Sequence, residues 1–311
     1  MTVATDRAPQ LVTHLINGLL SVKPLADFAK HQARSMMIKR AESIGVYWRE
    51  EVQALRSRAQ ATDFSAEWDT ELKQIENPDL AYPDYYLRSF HAYEEGNLGW
   101  QPAMEVEVAA RAVHARLWNE GANGDARLRQ SYHDRLQTQI PKPTDILDLG
   151  CSVGMSTFAL HDYYPNSQLT GVDLSPHFLA IAHYRSRQRQ LPIHWLHAPA
   201  EATGLPDASF DLVSAFLLFH ELPRTAAVSI LNEARRVLRP GGYLAIMEMN
   251  PKSEIYAAMP PYILTLLKST EPYLDDYFTF DIERAIEDAG FTRPTQACNS
   301  PRHRTLIAQA H

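Results

Sequence analysis

Short apolar runs alternate with helical patterns from about residue 141 onward, and this alternation constrains the fold more than any other feature of the sequence. The helical patterns lie between the runs, near 154–163, 176–188 and 224–238. Alternating strands and helices are typical of βαβ units, which build a parallel sheet with helices on both faces. The apolar runs are DILDLG (145–150), QLTGVD (168–173), IHWLHA (193–198), FDLVSAFLLF (210–219) and GYLAIMEM (242–249).

The first 140 residues have a different pattern, because apolar residues recur there at helical spacing. We therefore predict an all-helical N-terminal domain over 1–140 and an α/β domain over 141–311. The stretch 82–100 is aromatic and rich in turn formers, which favours an ordered loop over a flexible linker. The long aromatic segment 251–280 follows the fifth apolar run, and we predict that it caps a substrate site.

Composition and charge limit the kinds of binding partner and cellular location that the sequence supports. The net charge of −7 gives no reason to expect binding to nucleic acid or an anionic membrane. The apolar segment 11–22 is too short to span a bilayer and lacks the pattern of a secretory signal, so we predict a buried or docking helix there. Cys151 and Cys298 are not in metal-binding spacing, and two such cysteines suit the reducing cytoplasm. We predict no metal site and no stable membrane insertion.

The stretch DILDLGCSVG (145–154) has the order strand, tight loop, helix start. Gly150 permits a turn that a Cβ atom would obstruct, and the helix that follows offers free N–H groups. Dinucleotide-binding loops need glycine two and five positions after the first, but Ser152 and Met155 stand there. Moreover, Asp148 would repel a pyrophosphate and attract an ammonium group. The loop therefore disfavours a nicotinamide dinucleotide.

Two strand-end carboxylates indicate a ligand with an amino-acid end and a nucleoside end. We expect Asp148 near an α-ammonium, and the backbone of residues 152–154 along the neighbouring chain of the ligand. Asp173 ends the second apolar run, where a carboxylate accepts the hydroxyls of a ribose. Ser175 and Pro176 then cap and start the next helix.

These residues resemble motif I of the class I S-adenosylmethionine-dependent methyltransferases, in particular the group of ubiquinone/menaquinone C-methyltransferases and small-molecule methyltransferases. The resemblance covers about 141–250 well and 281–311 weakly. It implies a Rossmann-like, seven-stranded, mostly parallel sheet with one antiparallel strand near the end, and S-adenosyl-L-methionine as cofactor. Four further stretches match in order: GVDLS (171–175), APAEATGLPDASFDLV (198–213), LLFHELP (217–223) and EARRVLRPGGYLAIME (233–248).

The resemblance also implies which residues hold the cofactor. Leu174 would pack on the adenine, and Phe216 and Leu217 would line the sulfonium and methyl. Pro199 stands where the family often has an acidic residue that contacts the adenine amino group, so Glu201 or a backbone carbonyl would supply that contact. The full predicted set is Asp148, Gly150, Cys151, Ser152, Gly154, Ser156, Thr157, Asp173, Leu174, Ala200, Glu201, Phe216 and Leu217.

His220 and Glu221 follow the fourth apolar run, at the sheet edge where ligands bind in open α/β folds. Either side chain is a candidate to take a proton from an acceptor, although His220 alternatively orders its loop. The aromatic stretch either packs the helical domain on the core or forms a lid over the sulfonium. The candidate acceptor-binding residues are Tyr86, His91, Tyr93, Trp100, Tyr256 and Tyr262.

The sequence thus predicts methyl transfer by direct displacement to a small acceptor, and the apolar segment 251–280 favours a hydrophobic or aromatic one. The alternatives are a non-catalytic S-adenosylmethionine-binding scaffold and a protein or RNA methyltransferase; the absence of a basic stripe weighs against RNA. The atom that is methylated, the use of a base and the oligomeric state are left open.

Overall fold

The N-terminal part of the chain is helical, as the sequence predicts. The computed structural model describes residues 23–58, 60, 64–91, 93–118 and 121–311, apart from the side chains at 23–30, 33, 262 and 266. The predicted helix over 11–22 lies outside these residues. A short 3₁₀ turn at Gly121–Asn123 precedes the last of the N-terminal helices. These helices are α1 (Lys23–Ser43), α2 (Trp48–Ser57), α3 (Glu67–Ile75), α4 (Trp100–His114) and α5 (Gly124–Gln139).

The described residues after 140 form a seven-stranded sheet with the order β3-β2-β1-β4-β5-β7-β6. The first five strands pair in parallel, and β7 is antiparallel to both of its neighbours. This confirms the predicted Rossmann-like fold class, including the antiparallel strand near the end. The strands are β1 (Asp145–Leu149), β2 (Gln168–Asp173), β3 (His194–His197), β4 (Phe210–Phe216), β5 (Leu238–Met249), β6 (Thr295–Cys298) and β7 (His303–Gln309).

Helices cover both faces of the sheet because side chains of a strand alternate between its faces. Leu147, Leu149 and Val213 belong to one buried cluster, whereas Ile146 and Leu212 belong to another. The first cluster contains residues of α8 and α12, and the second contains residues of α5 and α6. The helices after residue 140 are α6 (Met155–Tyr163), α7 (Pro176–Gln188), α8 (Arg224–Val237), α9 (Glu254–Ala257), α10 (Pro261–Thr270), α11 (Leu274–Phe278) and α12 (Ile282–Asp288).

Helix α5 packs directly on the sheet although it precedes residue 141. Its buried Tyr132 hydroxyl lies 2.9 Å from Ser214 Oγ and donates to the carbonyl oxygen of Ala245 at 3.1 Å. Helix α5 therefore belongs to the core of the sheet. The predicted domain boundary at residue 140 remains a prediction.

Strand β5 starts earlier than its apolar run at 242–249. Leu238 pairs with Phe210, and the next pair joins Tyr243 to Leu212, so the intervening residues form an irregular bulge. The Pro-Gly-Gly stretch 240–242 is typical of a strand end, but β5 continues through it because both flanking parts pair with β4. Strand β4 ends at Phe216 rather than 219, because a 3₁₀ turn at Phe219–Glu221 follows.

Candidate functional site

The glycine loop between β1 and α6 turns at the point where the strand order reverses, which is where ligands bind in open α/β sheets. Gly150 and Gly154 have φ values of 66° and 85°, which side chains rarely adopt. A Cβ atom at Gly154 would lie 2.8 Å from the Phe158 ring and 2.9 Å from the Trp195 ring. Gly154 is thus required by packing beneath the loop.

Asp148, at the end of β1, is fully buried. Its Oδ2 accepts hydrogen bonds from Ser156 Oγ at 2.6 Å and Thr157 Oγ1 at 2.7 Å. Its Oδ1 is buried and has no hydrogen-bond partner in the described structure. Burial raises the pKa of Asp148 to about 6 even though both hydroxyls favour the charged form. A buried acceptor oxygen without a partner costs free energy unless a ligand donates to it.

Asp173, at the end of β2, fixes the glycine loop. Its Oδ2 accepts from the backbone N–H of Ser152, and its Oδ1 from that of Ser175, both at 2.8 Å. Burial raises the pKa of this carboxyl to about 6, while the backbone hydrogen bonds oppose the shift. Each carboxylate oxygen can accept a further hydrogen bond, so Asp173 remains able to bind a diol.

Glu201 lies beyond β3 and is joined to the aromatic stretch. Its Oε1 accepts a hydrogen bond of 2.5 Å from the Tyr85 hydroxyl, and its Oε2 is buried without a partner. Glu201 Oε2 is therefore free to accept a hydrogen bond, which the side chain of nearby Pro199 cannot do. Glu201, one of the two groups predicted to make the adenine contact, thus has a side-chain oxygen that accepts no other hydrogen bond in the described structure.

His220 follows β4 and is paired with a buried acid from β5. Its Nδ1 lies 2.8 Å from Oε1 of Glu248, which is fully buried. The other Glu248 oxygen accepts the backbone N–H of His220 at 3.2 Å. Burial alone would lower the pKa of His220, but the charge and hydrogen bond of Glu248 raise it to about 10. His220 is therefore protonated near neutral pH.

A second histidine links the two segments that were expected to cover the site. The backbone N–H of His91 donates to the carbonyl oxygen of Thr270 at 3.1 Å, with His91 at φ 48°. Its Nε2 lies 2.9 Å from Glu271 Oε1 and 3.6 Å from Glu221 Oε1. Burial raises the pKa of Glu221 above its usual range, although His91 and His220 oppose the shift. Glu221 thus titrates closer to neutrality than an exposed glutamate.

One cavity of about 520 Å³ connects the glycine loop with these histidines. Sixteen of the 21 predicted site residues line it. Asp148, Gly154 and Thr157 lie behind the loop and do not line it. The lining residues from the prediction are Gly150, Cys151, Ser152, Ser156, Asp173, Leu174, Ala200, Glu201, Phe216, Leu217, His220, Glu221, Tyr86, His91, Tyr93 and Tyr256.

The structure does not bring Trp100 to the cavity. Its ring packs 5.6 Å from those of both Phe64 and Trp68, between α3 and α4. The side chain of Tyr262 lies outside the described part of the chain. Cys151 lines the cavity, but it is buried and packs with Phe158 and Trp195. Burial raises the pKa of its thiol well above the usual range, so it is not a nucleophile.

Sequence reasoning missed two residues that line the cavity, Glu271 and Arg129, and one buried residue, Glu248, that pairs with His220 behind it. Glu248 lies within an apolar run, and a charged residue at the carboxyl end of a buried strand was the available signal. Glu271 meets His91 only through tertiary structure. Arg129 of α5 lines the cavity, donates from Nε to Asp125 Oδ2 at 2.9 Å, and lies 4.3 Å from the centre of the Phe216 ring. It brings a cation close to Asp148.

The described part of the chain contains neither a metal-binding cluster nor a membrane-spanning helix. No three His, Cys, Asp or Glu side chains in that part of the chain are grouped so as to hold a metal ion. Likewise, none of the described helices is long and apolar enough to cross a membrane.

Comparison with known proteins identifies the domain. A family described as a methyltransferase domain matches residues 146–242. The chain is 35% identical to a demethylmenaquinone methyltransferase of Thermus thermophilus, over 48% of this chain and 65% of that protein. It is also 35% identical to a trans-aconitate 2-methyltransferase of Azoarcus, over 39% of this chain and 46% of that protein. The chain thus spans less than two thirds of these relatives.

A solved structure supports the fold over a longer stretch. A putative O-methyltransferase of Nostoc punctiforme superimposes with a TM-score of 0.56 at 16% identity, covering 85% of this chain and 73% of that one. At this identity the likeness concerns the fold. The strand order, the glycine loop between two strand-end aspartates and the match over residues 146–242 together show that this part of the chain is similar to a methyltransferase domain.

Proposed function

We propose that the protein transfers a methyl group from S-adenosyl-L-methionine to a small, hydrophobic or aromatic acceptor. When bound, the cofactor supplies an activated methyl on a sulfonium centre, which an acceptor nucleophile takes by direct displacement. The observation that carries this proposal is the single cavity that joins the glycine loop to His220 and Glu221. An enzyme that binds the cofactor and the methyl acceptor in one cavity can hold the acceptor nucleophile in line with the methyl group.

The residues around the loop fit the cofactor. Asp148 Oδ1, Ser152 Oγ and Glu201 Oε2 are buried polar atoms without partners in the described structure. We assign Asp148, which does not line the cavity, to the ammonium group through a bridging water, Glu201 to the adenine amino group and Asp173 to the ribose hydroxyls. Arg129 would hold the carboxylate, because its guanidinium lines the same cavity. These assignments give the ammonium and the carboxylate of the cofactor each an opposite charge.

The acceptor side contains two proton carriers with different roles. His220 holds its proton because Glu248 stabilises the imidazolium, so its Nε2 can donate a hydrogen bond to an acceptor oxygen. Glu221 is the better candidate for a base, because burial raises its pKa towards the working pH. We propose that Glu221 takes the proton of the acceptor while His220 positions the acceptor atom.

The lining of the cavity supports an apolar acceptor of limited size. Tyr86, Phe90, Leu267 and Leu274 line it, so the aromatic stretch and the segment 251–280 both contribute walls. Such a walled chamber suits a small molecule better than a folded protein or RNA. The Thermus relative is named for a quinone precursor, which is an apolar cyclic acceptor. Two histidines and three glutamates with interacting charges favour turnover over a scaffold role.

The test is direct. Purified protein is titrated with S-adenosylmethionine and, separately, with NADH, and we expect binding of the first alone. Protein loaded with methyl-labelled S-adenosylmethionine is then incubated with small-metabolite and macromolecular fractions. Label that appears in an organic-extractable small molecule supports the proposal. Tight binding without transfer to either fraction would support the scaffold, and label in protein or RNA would overturn the small-acceptor assignment.

A further inference from the structure

The cavity has a basic end that the proposed reaction does not use. Arg302 lies in the turn between β6 and β7 and lines the cavity together with His114 and His303. The structure fixes its backbone: Asn250 N donates to the Arg302 carbonyl oxygen at 2.7 Å, and Arg302 N donates to Ser300 Oγ at 3.1 Å. The guanidinium is thus attached to a well-held turn beside the carboxyl end of β5.

The charge at this end has no counterion within the described residues. Neither Arg302 nor its neighbours Arg40 and Arg116 form a side-chain hydrogen bond or ion pair there, and the Nε of Arg40 is buried without a partner. Burial lowers the pKa of Arg40, and the positive charges of Arg116 and Arg302 lower it further. Arginines usually pair with acids when they are partly buried. Arg40 and Arg302 are partly buried and Arg116 is exposed, so two partly buried like charges lack an acid here, and an anion would be stabilised beside them.

The strand order sets the distance between this basic end and the reacting groups. Arg302 immediately precedes β7, and His220 follows β4, two strands away across β5. At about 4.8 Å per strand spacing, the two positions are roughly 10 Å apart. Asp173 at the end of β2 is four strands from β7, or roughly 19 Å on the same spacing. The basic end of the cavity therefore lies on the side of the methyl acceptor. It is too far from the residues proposed to bind the methyl donor to contact them.

The cavity lining near Arg302 includes apolar side chains. Met249, Tyr256 and Met259 line the cavity from the C-terminal half of the chain, and Tyr256 lies close enough to Arg302 and to Glu248, the partner of His220, for its pKa to respond to both charges. A molecule that occupies this stretch meets apolar surface along its length and a cation at its far end. Such a lining matches an amphipathic acceptor.

We propose that Arg302, supported by Arg40 and Arg116, forms an anion-binding subsite that holds a carboxylate or phosphate group at the far end of an apolar acceptor. The inference rests on the proposed function and adds the class of acceptor to it. The reactive atom of the acceptor lies near His220, and its anionic group lies about 10 Å away. A neutral acceptor of the same shape leaves the arginines unpaired and binds more weakly.

The test uses three probes that differ at one end: 4-phenylbutanoate, 4-phenylbutyl phosphate and 4-phenylbutan-1-ol. Their binding is measured by calorimetry on the full chain saturated with S-adenosylhomocysteine. We expect at least one anionic probe to bind about ten-fold or more tightly than the alcohol, as for a charge-assisted hydrogen bond. The Arg302→Gln variant should lose this preference and keep its affinity for the alcohol. The stronger of the two anions distinguishes a carboxylate from a phosphate site.

Controls separate this proposal from the assignment of the reaction. Arg293→Gln changes an arginine whose side chain is 81% exposed and should behave as the wild type. Arg40→Gln serves as a second variant if Arg302→Gln fails to fold. Equal binding of anions and alcohol, absence of anion binding, or an unchanged preference in both variants overturns the subsite. Failure of S-adenosylhomocysteine to bind overturns the proposed function instead.

Discussion

The imidazole Nδ1 of His220 lies 2.8 Å from Oε1 of Glu248, whose carboxylate is fully buried. One oxygen of Glu248 faces Nδ1, so the hydrogen bond fixes the ring orientation and leaves Nε2 towards the cavity. The arrangement converts a histidine of ordinary basicity into a persistent cation beside the proposed acceptor.

Replacement of Glu248 by glutamine should therefore change the protonation of His220. The variant keeps the shape of the side chain and removes its charge, so the pKa of His220 should fall from about 10 towards the ordinary value of about 6.5. Titration of labelled histidine by NMR measures this. Glu254→Gln, at an exposed position, is the control. A His220 resonance that still titrates near its original pH would contradict the pairing.

Binding of S-adenosylhomocysteine should weaken at acid pH. Burial raises the pKa of both Asp148 and Asp173 to about 6, so each carboxylate takes up a proton as the pH falls through that value. The protonated forms no longer attract an ammonium or accept as strongly from a ribose. We expect affinity to fall below about pH 6 and the fall to be shallower in Asp148→Asn. Calorimetry across pH measures it, and parallel curves for the two proteins would argue against the ammonium assignment.

Removal of the Asp173 carboxylate should weaken cofactor binding. Asp173→Ala loses a charge-assisted acceptor, which costs on the order of 1.5–3 kcal/mol. Because Asp173 also holds the N–H groups of Ser152 and Ser175, Asp173→Asn helps to separate loss of charge from loosening of the loop. Asp207→Ala, whose carboxylate is 78% exposed, is the matched control. An affinity equal to that of the wild type in Asp173→Ala would refute the ribose assignment.

Protonation of His133 should destabilise the fold in acid. Its side chain is buried and stacks on Tyr163, and burial, with a smaller effect of Arg129, lowers its pKa to about 3. The unfolded chain binds the proton near pH 6.5, so stability declines as the pH falls from about 6.5 to about 3.

The variant His133→Phe should lose this part of the pH dependence and retain the stack. Urea unfolding at several pH values measures the free energy of unfolding. His194→Gln, at an exposed position of β3, should leave the pH dependence unchanged. If the slope in His133→Phe equals that of the wild type, His133 is not the group responsible.

The sequence predicted the parts of the molecule that depend on short-range pattern. The alternation of strands and helices, the glycine loop and the two strand-end aspartates all lie within 145–250, where neighbours in sequence are neighbours in space. Helices α7 and α8 begin at residues 176 and 224, where the sequence placed them. The start of β5 was misplaced, because pairing with β4 overrode the local preference of the Pro-Gly-Gly stretch.

The acceptor side of the site could not be predicted in the same way. Glu248 is one charge in an apolar strand, and nothing local indicates that it faces His220. His91 and Glu271 are distant in sequence, and their contact depends on how two covering segments meet. Trp100 is as aromatic as Tyr86, but packing against Trp68 removes it from the cavity. Long-range packing decided each of these cases.

The contact of His91 with Thr270 and Glu271 joins two segments that both lie outside residues 146–242, the part shared with the family. The residues proposed to bind the methyl donor, in contrast, lie almost entirely within 146–242. Substitutions during evolution can therefore alter one half of the chamber while the other half is conserved. A lineage that retains Asp148 and Asp173 but replaces His91 and Glu271 would keep its methyl source and acquire a new chemical target.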